Sequence, residues 1–199
     1  MMMTRALMMM TLMTVLAASA LALPPGEKAP DFTLPDTEGV EHTLSAYLAD
    51  GRTVVLEWFN ADCPFIKKHH ATHKTMNETF AAADSNVVWL CVCSNAPGKQ
   101  GHGLERNRKA REEYGMDYPV LLDPKGEVGR LYGAKTTPHM FVIDAAGTVA
   151  YAGAIDDDRS AAKLGGTNHV AAALAALAAG DTVTVADTRP YGCSVKYTE

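Results

Sequence analysis

The chain has 199 residues, of which 47% are hydrophobic, and its formal net charge is −5. This length and hydrophobic fraction favour one domain with a sizeable core. The modest negative charge argues against nucleic acid or an anionic membrane as the main partner. Four cysteines are too few for a disulfide-stapled scaffold of this size, although they permit one or two bridges or a redox pair.

The first 22 residues have the pattern of a secretory signal peptide. Arg5 precedes an apolar run over 6–16, and small residues close the segment at Ala20-Leu21-Ala22. The run is short for a membrane span, so a retained anchor helix is the less favoured alternative. We therefore expect an exported protein, periplasmic or secreted, without a membrane span in its mature form. Because Arg5 is the one charged residue of this leader, its removal changes the net charge from −5 to −6.

Strand and helix patterns alternate along the rest of the chain. β-Branched and aromatic residues mark the strands, and apolar residues at helical spacing mark the helices. In chain order the predicted elements are a hairpin of strands 31–34 and 40–43, a central strand 53–59, a helix of about 63–83, a strand 87–93, a helix 104–114, a strand 120–122, a helix 127–132, a hairpin of strands 139–143 and 148–153, and a helix 170–179 capped by Asn168. This order predicts an α/β fold with a mixed central β-sheet flanked by helices on both faces.

Cys63 is the strongest candidate for a reactive residue. It follows the predicted strand 53–59 and, with Pro64 after it, begins a helix. A thiol in that position faces the positive end of the helix dipole and unpaired backbone N–H groups, and both favour the reactive thiolate. Lys67 lies one turn further on and adds a positive charge, whereas Asp62 opposes it. We interpret Cys63 as a nucleophile, with a buried structural cysteine as the alternative.

The other three cysteines differ in their surroundings. Cys91 and Cys93 have the spacing of residues on one face of a strand, and we interpret them as small core residues, Cys93 being the better redox candidate. Cys193 lies in a tail, 188–199, that could fold back over the site. It is therefore our preferred resolving partner for Cys63. A structural bridge from Cys193 to Cys91 or Cys93 is the alternative, and spacing alone leaves the pairing open.

At this point the chain resembles the thioredoxin-fold superfamily, and within it the exported peroxiredoxin-like redoxins, over about residues 26–180. Thioredoxins carry a W-C-x-x-C motif at a strand-to-helix turn and a cis proline that faces the first cysteine. Cys63 matches that first cysteine, Pro138 matches the cis proline, and Glu57 matches the buried acid that assists proton transfer. The resemblance implies a thioredoxin-like fold and thiol redox chemistry on protein or small-molecule thiols and disulfides, without a cofactor.

Two departures from the family patterns shape the functional hypothesis. The position of the second cysteine of C-x-x-C is Ile66, and the peroxiredoxin motif P-x-x-x-[ST]-x-x-C is missing. A motif with one cysteine cannot close its own disulfide, so a resolving thiol has to come from elsewhere. The ending at 192–196, Gly-Cys-Ser-Val-Lys, resembles the G-C-x-[IV]-K ending of peroxiredoxin-like proteins that keep only the first cysteine.

We therefore predict a leader at 1–22, a redoxin domain at 23–187 and a tail at 188–199. The hypothesis is an exported thiol–disulfide oxidoreductase. Its predicted site residues are the nucleophile Cys63, the resolving thiol Cys193, the proton-transfer acid Glu57, the charged Lys67 and the partner-docking Pro138.

Two other functions remain open from the sequence. One is a divergent peroxidase in which Cys63 passes through a sulfenic acid. The other is a copper- or zinc-binding protein. Its ligands would come from Cys63, Cys193, His69, His70, His73 and His139. His69 and His73 lie on the predicted packing face, which favours a core role. We also interpret 156–158, three consecutive aspartates, as a solvated loop rather than a cation site.

Overall fold

The computed structural model describes residues 22–198, so the predicted signal peptide, apart from Ala22, lies outside the described residues. The elements are β1 Thr33–Pro35, β2 Glu41–Thr43, α1 Leu44–Ala49, β3 Thr53–Trp58, α2 Pro64–Lys67, a π-helical segment Lys68–Thr72, α3 Thr75–Ala82, β4 Val87–Cys93, α4 Leu104–Glu113, β5 Val120–Leu122, α5 Glu127–Leu131, β6 Thr136–Thr137, β7 Met140–Ile143, β8 Val149–Gly153, α6 His169–Ala178 and β9 Cys193–Ser194. Asn168 caps α6, as predicted, by accepting a hydrogen bond from the Ala171 N–H at 2.9 Å.

The central sheet has five strands in the order β5-β4-β3-β7-β8. β3 pairs with β4 in parallel, and β4 pairs with β5 in parallel. β7 runs antiparallel to β3, and β8 runs antiparallel to β7. The prediction of a mixed central sheet is therefore confirmed.

Both faces of this sheet are buried by helices. On one face Val55 and Cys91 lie in a core cluster with residues of α2, α3, α4 and α6. On the other face Leu56 and Trp58 lie in a second cluster with residues of α1 and α5. Successive residues of β3 therefore alternate between two apolar layers, as a central strand requires. None of the helices within residues 22–198 is long and apolar enough to cross a membrane.

The prediction of one continuous helix over 63–83 is wrong. The chain there forms α2, the π-helical segment and α3, and Lys74 adopts a left-handed conformation with φ of 54°. The π-helical segment buries three consecutive polar residues, Lys68, His69 and His70. His70 lies 2.7 Å from the carboxylate of Glu57 on β3. A wider turn lets these side chains reach buried partners, and such local π-helices are frequent at functional sites.

The C-terminal tail folds back onto the domain. β9 pairs antiparallel with β6, and Cys193 stands opposite Thr137 in that pairing. Gly192, directly before β9, has φ of 137°, and a Cβ atom there would overlap the carbonyl oxygen of Thr137. Glycine is therefore required for the close approach of the two backbones. The boundary between 23–187 and the tail stays a prediction, since the tail packs on the domain.

The Gly192→Ala variant is expected to weaken this pairing, because alanine is strained at a positive φ and would contact Thr137. The Val195 amide donates to the Lys135 carbonyl at 3.0 Å and reports on the docked tail. We expect its hydrogen exchange to become about tenfold faster or more. Gly166→Ala is the control, since open space surrounds that glycine and its φ is not in the left-handed region. Equal exchange in the two variants would contradict the role of Gly192.

Candidate active site

Cys63 lies where β3 has ended and α2 begins. It is the N-cap residue of α2, with an extended backbone, and Pro64 occupies the first helical turn. The Cys63 side chain is fully buried. Its N–H donates to the Asn60 carbonyl at 3.0 Å, and its carbonyl accepts from the Lys67 N–H at 3.0 Å. The turn therefore holds the thiol in one position at the start of the helix.

The segment Thr137-Pro138 forms the opposite wall of the site. The peptide bond between these residues is cis, as the resemblance implies. The Cys63 thiol donates a hydrogen bond to the Thr137 carbonyl oxygen at 3.0 Å. The His139 carbonyl accepts from the Trp58 N–H at 2.9 Å, which ties this segment to the end of β3. Cys63 and the residue before Pro138 are thus in direct contact, although they are 74 positions apart.

Cys193 completes the site from the third side. It stands opposite Thr137, whose carbonyl accepts the hydrogen bond from the Cys63 thiol. Burial and the neighbouring Cys63 side chain raise the pKa of Cys193 to about 11. Cys193 is partly exposed, whereas Cys63 is fully buried. The structure therefore brings the two predicted redox cysteines together, both as free thiols.

Cys91 and Cys93 are buried on β4 in the same core cluster as Cys63, and their thiols hydrogen-bond to other residues. The Cys91 thiol donates to the Glu57 carboxylate at 3.4 Å, and the Cys93 thiol donates to the Gly101 carbonyl at 3.4 Å. Burial is the main cause that raises the pKa of both thiols, followed for Cys91 by the charge of Glu57. Both cysteines are free, as expected for small core residues.

Glu57 is fully buried on β3 and is satisfied by three donors. Its carboxylate accepts from the Trp89 indole N–H at 3.0 Å and from Cys91, and it lies 2.7 Å from the His70 ring nitrogen. The other ring nitrogen of His70 lies 3.4 Å from the Tyr118 hydroxyl. Glu57 is therefore a buried acid, as the resemblance implies. The proton-transfer role of Glu57 stays a prediction.

The two charged neighbours of Cys63 behave differently. Lys67 is exposed, and its electrostatic role stays a prediction. Asp62 is paired with Arg106 of α4, whose guanidinium nitrogens lie 2.9 Å from its carboxylate. Burial lowers the pKa of Arg106, but the hydrogen bond and charge of Asp62 raise it overall. Arg106 therefore offsets the negative charge that opposes a thiolate at Cys63. No sequence pattern indicates Arg106, which lies 44 positions from Asp62.

A second group of residues that the sequence did not indicate holds the tail. Tyr191 is buried, and its hydroxyl donates to Asp156 and lies 2.9 Å from the His69 ring nitrogen. The Lys68 ammonium donates to the Tyr191 hydroxyl at 3.3 Å and lies 3.4 Å from the Asp156 carboxylate. We call Lys68, His69, Asp156 and Tyr191 the Tyr191 cluster. The interpretation of 156–158 as a solvated loop is thus wrong for Asp156, because its carboxylate is the buried partner of Lys68.

The predicted copper or zinc ligands are not gathered in one place. Within residues 22–198, the one group of three or more candidate ligands with adjacent ligand atoms is Glu57, His70 and Cys91. This group contains neither Cys63 nor Cys193. Its atoms already hydrogen-bond to one another, and burial keeps Cys91 protonated by raising its pKa. The remaining histidines have other partners: His69 contacts Tyr191, His73 contacts the Ala162 carbonyl, and His139 packs on Phe141.

Removing Cys63 is expected to lower the pKa of Cys193. In Cys63→Ala the interaction with the Cys63 side chain is lost, so the pKa of Cys193 falls from about 11 toward the ordinary value near 9. The fall is partial, because burial, the largest cause, remains. The pH dependence of Cys193 alkylation measures it, with Cys93→Ala as the matched control. An unchanged pKa in Cys63→Ala would show that the two thiols do not interact.

Acidification is expected to destabilise the fold partly through His69. Burial is the main cause that lowers its pKa to about 4 in the folded protein, against about 6.5 in an unfolded chain. The unfolded state therefore binds the proton first. The stability that His69 contributes is complete above pH about 6.5 and is lost as the pH falls to about 4. We expect His69→Gln to flatten the pH dependence of the free energy of unfolding in this window. Equal slopes in wild type and variant would contradict it.

The chain is similar to known proteins along most of its length. The profile of the Redoxin family matches residues 24–170. A candidate peroxiredoxin of Mycobacterium tuberculosis is 31% identical over 137 residues, which cover 68% of this chain and 80% of that protein. The thiol-disulfide oxidoreductase ResA of Geobacillus thermodenitrificans is 31% identical over 124 residues, covering 62% of this chain and 66% of that protein.

Solved structures show the same fold. The crystal structure of a hypothetical protein from Sinorhizobium meliloti 1021 has a TM-score of 0.76 and 27% identity, and the match covers 89% of this chain and 97% of that one. The predicted thioredoxin-like fold is confirmed. The mixed sheet, the cysteine at the turn after β3 and the cis proline that faces it agree with the family match over 24–170. The chain therefore belongs to the Redoxin family.

Proposed function

We propose that this chain is an exported thiol–disulfide oxidoreductase in which Cys63 and Cys193 form a reversible intramolecular disulfide. The observation that carries the proposal is that Thr137, beside the cis peptide bond, accepts the hydrogen bond from the Cys63 thiol and pairs in the sheet with Cys193. Oxidoreductase activity is supported by relatives that are named as thiol-disulfide oxidoreductases and as candidate peroxiredoxins. Export rests on the leader pattern at 1–22.

In the proposed cycle, the Cys63 thiolate attacks a partner disulfide, R–S–S–R′, forming a bond to one sulfur and releasing R′–S⁻. The deprotonated Cys193 sulfur then attacks the Cys63 sulfur, which forms the Cys63–Cys193 disulfide and releases R–S⁻. The partner gains two electrons and the protein loses two. The protein disulfide can in turn oxidise a partner dithiol, and the compartment and partner decide the direction.

The surrounding residues take supporting roles in this proposal. Glu57 receives or supplies the proton during exchange, and its burial on the same side of the sheet as Cys63 supports that role. Lys67 adds positive charge at the helix start, and Arg106 offsets Asp62. Pro138 shapes the surface on which a partner chain docks. Partners are protein or small-molecule thiols and disulfides.

A peroxidase is the second candidate, because one relative is named as a candidate peroxiredoxin and because the buried Cys63 suits a small oxidant. The Cys63 thiolate would attack a peroxide, ROOH, and with one proton give a sulfenic acid and an alcohol. The Cys193 thiol would then condense with the sulfenic acid, forming the same disulfide and releasing water. Both functions therefore use one disulfide and differ in the oxidant.

Differential alkylation followed by peptide mass spectrometry tests the disulfide directly. After oxidation by either a small disulfide or a peroxide, we expect one bridge, Cys63–Cys193, which a thiol reductant opens. Disulfide reduction should be lost in Cys63→Ser and fall at least about tenfold in Cys193→Ser. It should persist in Cys93→Ala, the matched core control. A bridge between other cysteines, or full activity of Cys193→Ser, would refute the two-cysteine cycle, and faster turnover of peroxide than of disulfide would favour the second candidate.

A further inference from the structure

The two thiols of the site differ in their access to solvent. Cys63 is fully buried, and its thiol donates to the carbonyl of Thr137, the residue that pairs with Cys193. Cys193 keeps part of its surface exposed on β9. A molecule that approaches from solvent therefore meets Cys193 first. In the proposed cycle Cys63 reacts with the oxidising disulfide. The greater exposure of Cys193 favours Cys193 as the first contact for a reducing thiol.

The tail, which pairs with Thr137 next to the fully buried Cys63, is held on both sides of Cys193. Before it, Tyr191 is buried within the Tyr191 cluster. After it, Val195 is buried and its N–H donates to the Lys135 carbonyl at 3.0 Å. The Lys196 carbonyl accepts from the Ala96 N–H at 2.8 Å. These contacts flank the thiol at both ends, so Cys63 stays covered while the tail is docked.

We propose, as an extension of the proposed Cys63–Cys193 cycle, that an external thiolate attacks the protein disulfide at the Cys193 sulfur. In this step a thiolate R–S⁻ forms a bond to Cys193 and the bond between the two protein sulfurs breaks, so that the electron pair leaves on Cys63 as a thiolate. A second thiol then attacks the external sulfur of the mixed disulfide, releasing R–S–S–R and the reduced Cys193. The thiol that re-reduces the protein therefore contacts Cys193, whereas the disulfide that oxidises the protein reacts with Cys63 in the proposed cycle.

Rapid acid quenching of the reaction with reduced glutathione tests the proposal. Oxidised full-length protein is mixed with glutathione, quenched at increasing times, alkylated with N-ethylmaleimide and mapped by mass spectrometry. We expect the earliest mixed disulfide on Cys193, with the maleimide on Cys63, in at least about tenfold excess over the reverse species. Glutathione on Cys63 and maleimide on Cys193 at the earliest times would overturn the proposal. If the starting protein contains no Cys63–Cys193 disulfide, the proposed function fails as well.

A loosened tail provides a second readout. Tyr191→Phe removes the hydroxyl that contacts Lys68, His69 and Asp156, so it should uncover Cys63 and raise the fraction of glutathione found on Cys63. Tyr47→Phe is the matched control, because it also removes one hydroxyl, which contacts His42 on a different part of the fold. An unchanged ratio in Tyr191→Phe would show that the docked tail does not direct the attack.

Discussion

The pairing of the tail with the segment before Pro138 is the constraint on which the site depends. Two short strands, β6 and β9, place Cys193 opposite Thr137, and the Thr137 carbonyl is also the hydrogen-bond acceptor of the Cys63 thiol. One residue therefore accepts the hydrogen bond of the Cys63 sulfur and pairs with the backbone of Cys193. Each backbone hydrogen bond contributes only about 1 kcal/mol, so the pairing by itself would not hold a tail in place. The buried side chains on either side of β9 supply the remaining stability.

Those side chains explain why the helix after Cys63 is irregular. A regular α-helix would turn Lys68, His69 and His70 to successive directions, and at least one would face solvent. The π-helical segment buries all three, so that Lys68 and His69 hold the tail while His70 reaches the acid on β3. Removing one partner of a buried ion pair such as Lys68–Asp156 costs on the order of 3–5 kcal/mol. The irregular helix thus links the proposed nucleophile, the resolving thiol and the buried acid through adjacent residues.

The site keeps its second sulfur in a separate segment of chain. Where two cysteines share one helical turn, their contact is set locally, whereas here it exists only while the tail is docked. The proposed disulfide would therefore also tie the tail to the domain covalently, and its reduction would leave the docking to noncovalent contacts alone. In the proposed cycle, redox state and tail docking would be coupled for this reason, and the more exposed of the two sulfurs lies on the tail.

Local sequence patterns determined the alternation of strands and helices, the mixed sheet and the placement of Cys63 at a strand-to-helix turn, and the family resemblance implied its opposition to Pro138. Periodicity, proline placement and helix-end chemistry act over a few neighbouring residues, so they can be read from contiguous sequence. The tertiary structure decided the rest. Arg106 beside Asp62, Asp156 beside Lys68 and the break in the predicted helix all arise from residues that are far apart in sequence. The cysteine of the tail was enough to predict that the tail carries the resolving thiol. The register of the tail against β6, however, depends on the close approach that Gly192 permits and on the buried contacts around it. No local sequence pattern encodes these contacts.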